Sequence, residues 1–104
     1  MPDRYRIRTM PRASKDIVGI CSHIKMQSPQ NAANVAQVLL DAIDSLERFP
    51  HRYKVHEHRK EPAKTVRSMP VPPFIVYYRV VEHLGMIEVL TVLHGHRKQP
   101  RRFK

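Results

Sequence analysis

The chain has 104 residues, enough to bury one hydrophobic core and too few for two, so we expect a single domain spanning residues 1–104. Nineteen lysines and arginines oppose nine aspartates and glutamates, and the formal charge of +10 favours polyanionic partners, either nucleic acid or an acidic protein. One cysteine excludes an internal disulfide, and no apolar run is long enough to span a membrane, so we expect a cytoplasmic protein without a membrane partner.

One alternating segment and two helical segments make up the first half of the sequence. Arginines alternate with less polar residues from Arg4 to Thr9, which is the period of a half-buried strand. From Pro11 to Lys25 apolar residues recur every three or four positions, so we predict an amphipathic helix with Cys21 as a small core residue. Ser28-Pro29 begins a second helix that ends near Phe49-Pro50, and the short connection predicts an antiparallel helical hairpin. The apolar stripe of the second helix consists of Ala32, Val35, Ala36, Leu39, Ile43 and Leu46.

The second half of the sequence predicts a loop followed by three strands. The segment from His51 to Lys64 has no regular period and is rich in charge, so we interpret it as a loop. Strand character returns from Thr65 to Met69, and Pro70-Val-Pro-Pro73 then predicts a turn or a sheet edge. Two longer strand patterns follow, Phe74–Val81 and Met86–His94, with a short turn between them.

The last two predicted strands fit one hairpin register. If the turn closes this hairpin, Val81 lies opposite Met86 and Arg79 lies opposite Glu88, which pairs opposite charges. The order of elements contains no βαβ alternation. We therefore predict an α+β fold in which an N-terminal strand and a helical hairpin precede a three-stranded antiparallel meander, with all strands in one twisted sheet. The face that packs on the helices is expected to carry Phe74, Val76, Tyr78, Val80, Ile87, Val89, Thr91 and Leu93.

Four short motifs occur in a recognisable order along the chain. They are Ser-Pro at 28–29, Leu-Glu-Arg-Phe-Pro at 46–50, Tyr-Tyr-Arg-Val at 77–80 and Val-Leu-His-Gly-His-Arg at 92–97. Together they resemble the RelE/ParE superfamily of type II toxin-antitoxin toxins, and its ParE-like members most closely. The resemblance implies a helical hairpin packed on a twisted antiparallel sheet and a small antitoxin partner. We expect that antitoxin to be acidic, because it has to meet this basic surface.

The resemblance leaves three functions open. ParE-like members inhibit DNA gyrase and need no obvious catalytic set, so the first hypothesis is a growth-inhibiting toxin that binds gyrase. RelE-like members cut messenger RNA on the ribosome, which makes a ribosome-dependent endonuclease the second. The third is a toxin fold that keeps only antitoxin binding. We expect no cofactor, and both a homodimer and a toxin-antitoxin hetero-oligomer are open.

The nuclease hypothesis assigns roles to three residues near the predicted sheet. RNA cleavage by a 2′-hydroxyl needs a base, an acid and cations for the phosphate. By resemblance, Arg97 stands where RelE-like nucleases contact the scissile phosphate, His96 stands where relatives carry lysine or histidine, and Arg67 is a second candidate cation. Two departures weigh against efficient cleavage: the strand at 65–69 carries few cations, and no aromatic acid-base residue follows soon after Arg97.

The basic tail, residues 95–104, is a candidate contact for a nucleic acid or a target protein. A frayed terminus is the competing interpretation. Two histidine pairs, His56 with His58 and His94 with His96, lack the cysteines or carboxylates that would complete a metal shell, so we predict no metal site. The candidate target-binding residues of the tail are Lys98, Arg101, Arg102 and Lys104.

Overall fold

Two helices pack on one face of a five-stranded sheet in the computed structural model, which describes residues 3–103. The sheet has the order β1-β5-β4-β3-β2, with β1 parallel to β5 and the other neighbours antiparallel. The predicted α+β class is therefore confirmed. The elements are β1 Arg6–Thr9, α1 Pro11–Lys25, α2 Pro29–Asp44, β2 Lys54–Glu57, β3 Val66–Val71, β4 Phe74–Val81 and β5 Met86–His94.

The helical hairpin forms where its start signals predict it. Pro11 and Pro29 stand in the first turns of α1 and α2, where a missing N–H costs no hydrogen bond. Ser28 Oγ accepts a hydrogen bond of 3.2 Å from Asn31 N and so caps α2. Cys21 was predicted to lie in the core, but it is only half-buried. Ala13 is the one fully buried residue of α1.

The predicted loop from residue 51 to 64 contains a strand, so that prediction was wrong. β2 lies within it and pairs with β3 at the edge of the sheet. Its short length, and a shift of register between Val55 and Glu57, conceal the period of two that identifies a strand. The predicted turn at the prolines is confirmed, since β3 and β4 meet at Pro72-Pro73, whose peptide bond is cis.

The predicted β4–β5 register is confirmed near the turn and changes farther along. Val81 pairs with Met86, and Arg79 pairs with Glu88. Beyond Tyr78, which pairs with Val89, a bulge leaves Leu90 as an extra residue. One extra residue exchanges the two faces of a strand. Leu93 therefore lies on the face away from the helices, and Thr91 pairs with Tyr77 of that face, so the predicted face was wrong at Leu93 and Thr91. Val92 packs on the helix side instead.

The sheet thus has two unequal hydrophobic faces. The helix-facing core contains most of the buried residues, including Leu39, Tyr78 and Val92. The opposite face, called the outer face below, carries a smaller cluster built around Tyr77 and Leu93. Neither helix is long and apolar enough to cross a membrane, as far as the described residues extend.

Candidate functional site

The last strand ends beside the turn between β3 and β4. Gly95 N donates a hydrogen bond of 2.7 Å to Pro73 O. A Cβ atom on Gly95 would lie 3.1 Å from that same oxygen, so the close approach of the two backbones favours glycine. Arg97 N then donates to His94 O at 3.1 Å. This turn directs the following residues back across the sheet.

The C-terminal segment, residues 95–103, lies on the outer face of the sheet. Tyr77 Oη donates a hydrogen bond of 2.6 Å to Gln99 Oε1, and His56 Nε2 donates one of 2.5 Å to Pro100 O. Burial raises the pKa of Tyr77 above its ordinary 10.0, so its hydroxyl, already protonated at neutral pH, also remains a donor in more alkaline solution. Specific contacts therefore hold the segment, in contrast to a frayed terminus.

Phe103 anchors the far end of the C-terminal segment. Its ring centroid lies 5.0 Å from that of Tyr77 and 5.9 Å from that of His56. Its backbone is also held, because Phe103 N donates to both carboxylate oxygens of Glu57 at 3.3 Å and Arg59 donates to Phe103 O at 3.2 Å. Ring packing and backbone hydrogen bonds together fix the segment against β2 and β4.

The exposed cations of this segment lie beside one exposed cation of α1. We call Arg12, Arg97, Lys98, Arg101 and Arg102, all of them exposed, the basic surface. Four of them, all except Arg102, line a groove of about 530 Å³, and Arg12 and Arg102 line a second groove of about 390 Å³. No acidic side chain among the described residues lines either groove. A third groove of about 480 Å³ is lined by His56, Glu57, His58, Arg59, Arg101 and Arg102.

The predicted catalytic residues lie in two places, with Arg67 on the helix side of the sheet and His96 and Arg97 in the turn after β5. Arg67 pairs with Tyr78, which faces the helices, and donates hydrogen bonds to His51 O at 3.0 Å and Tyr53 O at 2.7 Å. His96 and Arg97 lie in the exposed turn after β5. The structure therefore holds Arg67 apart from His96 and Arg97, which are near each other because they are consecutive in the chain. The Arg67 hydrogen bonds fix the backbone just before β2. Lys104, the last predicted target-binding residue, lies outside the described residues.

The two histidine pairs take part in local hydrogen bonds. His94 Nδ1 accepts a hydrogen bond of 3.2 Å from His96 N, and the two ring centroids are 5.0 Å apart. His56 is bound to Pro100 O, as described above. Within residues 3–103, no group of three or more histidine, cysteine, aspartate or glutamate side chains is arranged to hold a metal ion.

Comparison with known proteins identifies the family. Residues 7–99 match the family described as the ParE toxin of the type II toxin-antitoxin system, parDE. The chain belongs to the ParE toxin family. This result confirms the resemblance to the RelE/ParE superfamily that the four sequence motifs indicate.

A curated relative and two solved structures support the assignment to the ParE toxin family. Over 100 residues the chain is 30% identical to "Putative toxin Y4kP" of Sinorhizobium fredii (strain NBRC 101917 / NGR234). The alignment covers 94% of this chain and 96% of the relative. The chromosomal ParDE toxin-antitoxin system from P. aeruginosa aligns with a TM-score of 0.69 at 18% identity, covering 89% of this chain and 98% of that one. The toxin-antitoxin complex RelBE2 from Mycobacterium tuberculosis aligns with a TM-score of 0.57 at 22% identity, covering 90% and 94%. These two likenesses confirm the fold.

One component of the basic surface of this ParE-family toxin is absent from the sequence-based prediction. Arg12 is 85 positions before Arg97 in the chain, yet both line the same groove. The packing of α1 beside β5 brings them together, and Asp16 secures that packing by accepting a hydrogen bond of 3.0 Å from Val92 N. Since the contact depends on how two elements pack, no local motif signals it.

Proposed function

We propose that this toxin inhibits bacterial growth by binding DNA gyrase through the basic surface. The observation that carries the proposal is the display of four exposed cations on a segment that is fixed on the sheet, with a fifth, Arg12, beside it. A backbone that is already ordered loses little conformational entropy when a partner binds, and its exposed cations attract a partner of opposite charge. ParE-like toxins, by the resemblance given above, act on gyrase without an obvious catalytic set.

The arrangement of the predicted catalytic residues favours binding over cleavage. Phosphoryl chemistry requires a base, an acid and a cation within reach of one phosphate. Arg67 is committed to two backbone carbonyls on the helix side of the sheet, which leaves His96 and Arg97 without it. A binding surface has no such requirement, because its cations act over several ångströms.

A supercoiling assay tests the gyrase proposal. Purified toxin is added to gyrase with relaxed plasmid and ATP, and the supercoiled product is measured. We expect inhibition by the wild type and its loss when Arg97, Lys98, Arg101 and Arg102 are all changed to glutamine. The matched control changes four exposed lysines outside the three grooves, Lys15, Lys25, Lys54 and Lys60, to glutamine and should still inhibit. Uninhibited supercoiling by the wild type contradicts the proposal.

A ribosome-dependent endonuclease is the second candidate, and one observation favours it. The rings of His94 and His96 approach to 5.0 Å next to Arg97, so a proton-transfer group and a phosphate-binding cation share one turn. This function would produce codon-positioned cuts in ribosome-bound message, and Arg97→Ala would abolish them. If neither cleavage nor gyrase inhibition is found and induced expression leaves growth unimpaired, the remaining function is antitoxin binding alone.

We also propose that a small acidic antitoxin binds the helical hairpin. The two similar solved structures are themselves a ParDE system and a RelBE2 toxin-antitoxin complex. In this chain Val18, Val38 and Leu40 are exposed on the helices, with 65%, 56% and 47% of their surface accessible. Such residues suit the apolar face of a partner helix. Co-expression with the adjacent reading frame should yield a complex in which Val38→Glu weakens binding, and an unaltered complex would contradict this placement.

A further inference from the structure

A second surface of the toxin is a cleft of about 740 Å³ that shares no lining residue with the three grooves around the C-terminal segment. It lies where the residues before β1 meet the turns that follow α2. The side chains relevant to its chemistry are Arg4, Tyr5, Arg48, Phe49, Pro50 and Arg52. Apolar and cationic groups therefore share one opening, which the carboxylate of Asp3 also lines.

Phe49 has an unusual backbone conformation and an unusual exposure for a phenylalanine. Its φ of 51° and ψ of 52° are left-handed, a region that bulky side chains rarely occupy, and 80% of its surface is accessible. The surroundings impose this conformation: Tyr78 Oη donates to Pro50 O at 2.5 Å, and Arg52 donates to Phe49 O at 3.1 Å. Backbone strain of this kind is concentrated at ligand-binding sites. The fold thus holds an aromatic ring in solvent at the expense of a strained backbone conformation.

Two arginines beside Phe49 carry positive charge that no carboxylate neutralises within residues 3–103. Arg52 donates only to neutral acceptors, namely Ser45 O, Ser45 Oγ, Arg48 O and Phe49 O, at 2.7–3.4 Å. These bonds hold its guanidinium in place. The Arg48 side chain is exposed and has no hydrogen bond or ion pair in the described part of the chain. The cleft therefore presents one fixed and one free positive charge next to an aromatic ring.

Two acidic residues near the cleft, Glu47 and Glu82, are already engaged. Glu47 pairs with Arg4 at 2.8 Å, and Glu82 accepts from His51 at 2.5 Å and from Tyr5 Oη at 2.7 Å. Their carboxylates, together with that of Asp3 in the lining, border the cations. A continuous phosphate backbone would meet these negative charges on leaving the cleft, whereas a single peptide carboxylate would not. The charge arrangement favours a peptide over a nucleic acid.

We propose that this cleft binds an acidic peptide segment of a partner protein. An aromatic or large apolar side chain of the peptide packs against Phe49 and Pro50, and a neighbouring carboxylate contacts Arg48 and Arg52. Exposed aromatic and arginine side chains are the residue types that dominate binding energy at protein interfaces. The proposal adds a second contact surface to the toxin and does not depend on gyrase being the target.

The test uses the full-length ¹⁵N-labelled chain and three probes in NMR titrations. The first probe is acetyl-Gly-Ser-Gly-Glu-Phe-Gly-Ser-Gly-amide, the second has its glutamate replaced by glutamine, and the third is decathymidylate. We expect the first peptide to shift the amide signals at positions 48, 49, 51 and 52, and the glutamine peptide to bind at least about tenfold more weakly. Decathymidylate should leave these signals unchanged.

Two variants and a control separate binding from folding. Phe49→Gly should lose peptide binding by at least about tenfold while its unfolding temperature stays equal or rises, because glycine adopts this backbone conformation without strain. Arg48→Glu should lose affinity to a similar degree. Met26→Ala, at an exposed apolar position just after α1, should bind like the wild type.

Several results would overturn the proposal. They are the absence of shifts at these signals, equal affinity for the glutamine peptide, and wild-type binding by Phe49→Gly. A lower unfolding temperature for Phe49→Gly would assign the ring a structural role. Cleft signals that move with decathymidylate would assign the site to nucleic acid. Because the quadruple glutamine variant of the basic surface leaves this cleft intact, failure of the gyrase proposal and failure of this one are distinguishable.

Discussion

Asp16 connects the helical layer to the last strand. Its carboxylate accepts hydrogen bonds from Val92 N at 3.0 Å and from the hydroxyl of Thr91. These donors lie just past the bulge at Leu90, where β1 no longer runs beside β5. The carboxylate thus satisfies a backbone donor that a neighbouring strand would otherwise satisfy. The same contact places α1, and with it Arg12, beside the C-terminal segment.

Replacing Asp16 with alanine should destabilise the fold. The backbone N–H of Val92 and the Thr91 hydroxyl would lose their acceptor in a largely buried setting, which costs about 1–3 kcal/mol. Urea unfolding measures this change. As a control, Asp44→Ala at the exposed end of α2 should change stability by less than about 0.5 kcal/mol. Equal losses in the two variants would contradict the role of Asp16.

Glu82 should make stability depend on pH. The hydrogen bond from His51, followed by that from Tyr5, lowers the pKa of Glu82 below its ordinary 4.5, although partial burial opposes the shift. A group whose pKa is lowered by folding contributes stability that is complete above its unfolded pKa and is lost as pH falls through its folded pKa. The wild type should therefore unfold at a higher temperature than Glu82→Gln at pH 7. That difference should shrink below about pH 4.5. A difference that stays constant from pH 7 to pH 3 would contradict it.

At the scale of elements, we expect the packing of the Phe103 ring to hold the C-terminal segment against the sheet. Phe103→Ala removes the ring contacts with Tyr77 and His56. We expect amide hydrogen exchange at position 103, whose N–H donates to Glu57, to accelerate at least about tenfold, since local opening of the segment becomes easier by more than about 1.4 kcal/mol. Leu84→Ala, at an exposed position in another turn, should leave this rate unchanged. Unchanged exchange in Phe103→Ala would show that hydrogen bonds alone hold the segment.

Sequence patterns predict the elements that carry their own signals and miss those that depend on neighbours. The bounds of α1, β4 and β5 agree with prediction, because prolines, a glycine turn and strong apolar periodicity delimit them. β2 was missed because a short, charged edge strand has little period of its own. The bulge at Leu90 is likewise invisible in the sequence, since residues 89–93 read Val-Leu-Thr-Val-Leu and either set of alternate residues could face the helices. The exchange of faces at Thr91 and Leu93 follows from that bulge.

At the scale of the whole molecule, two surfaces of different chemistry share one fold. The basic surface consists of Arg12 and the cations of the C-terminal segment, which lies on the outer face of the sheet. The cleft at Phe49 lies next to the start of β1, whereas α1 follows the end of β1. Most cations of the basic surface are predictable from the sequence, because they cluster at residues 97–102. The position of Arg12 beside them and the separation of Arg67 from them are not, because both depend on tertiary packing. The geometry therefore supports a toxin that acts by binding.

The affinity of the purified toxin for purified gyrase tests this conclusion most directly. Binding is measured by biolayer interferometry at 50 mM and 200 mM salt, for the wild type and for the variant with glutamine at positions 97, 98, 101 and 102. We predict that the wild type binds, that its affinity falls as salt rises, and that the variant loses at least about tenfold at the lower salt. The absence of wild-type binding, or equal affinities for the two proteins, would contradict gyrase binding through the basic surface.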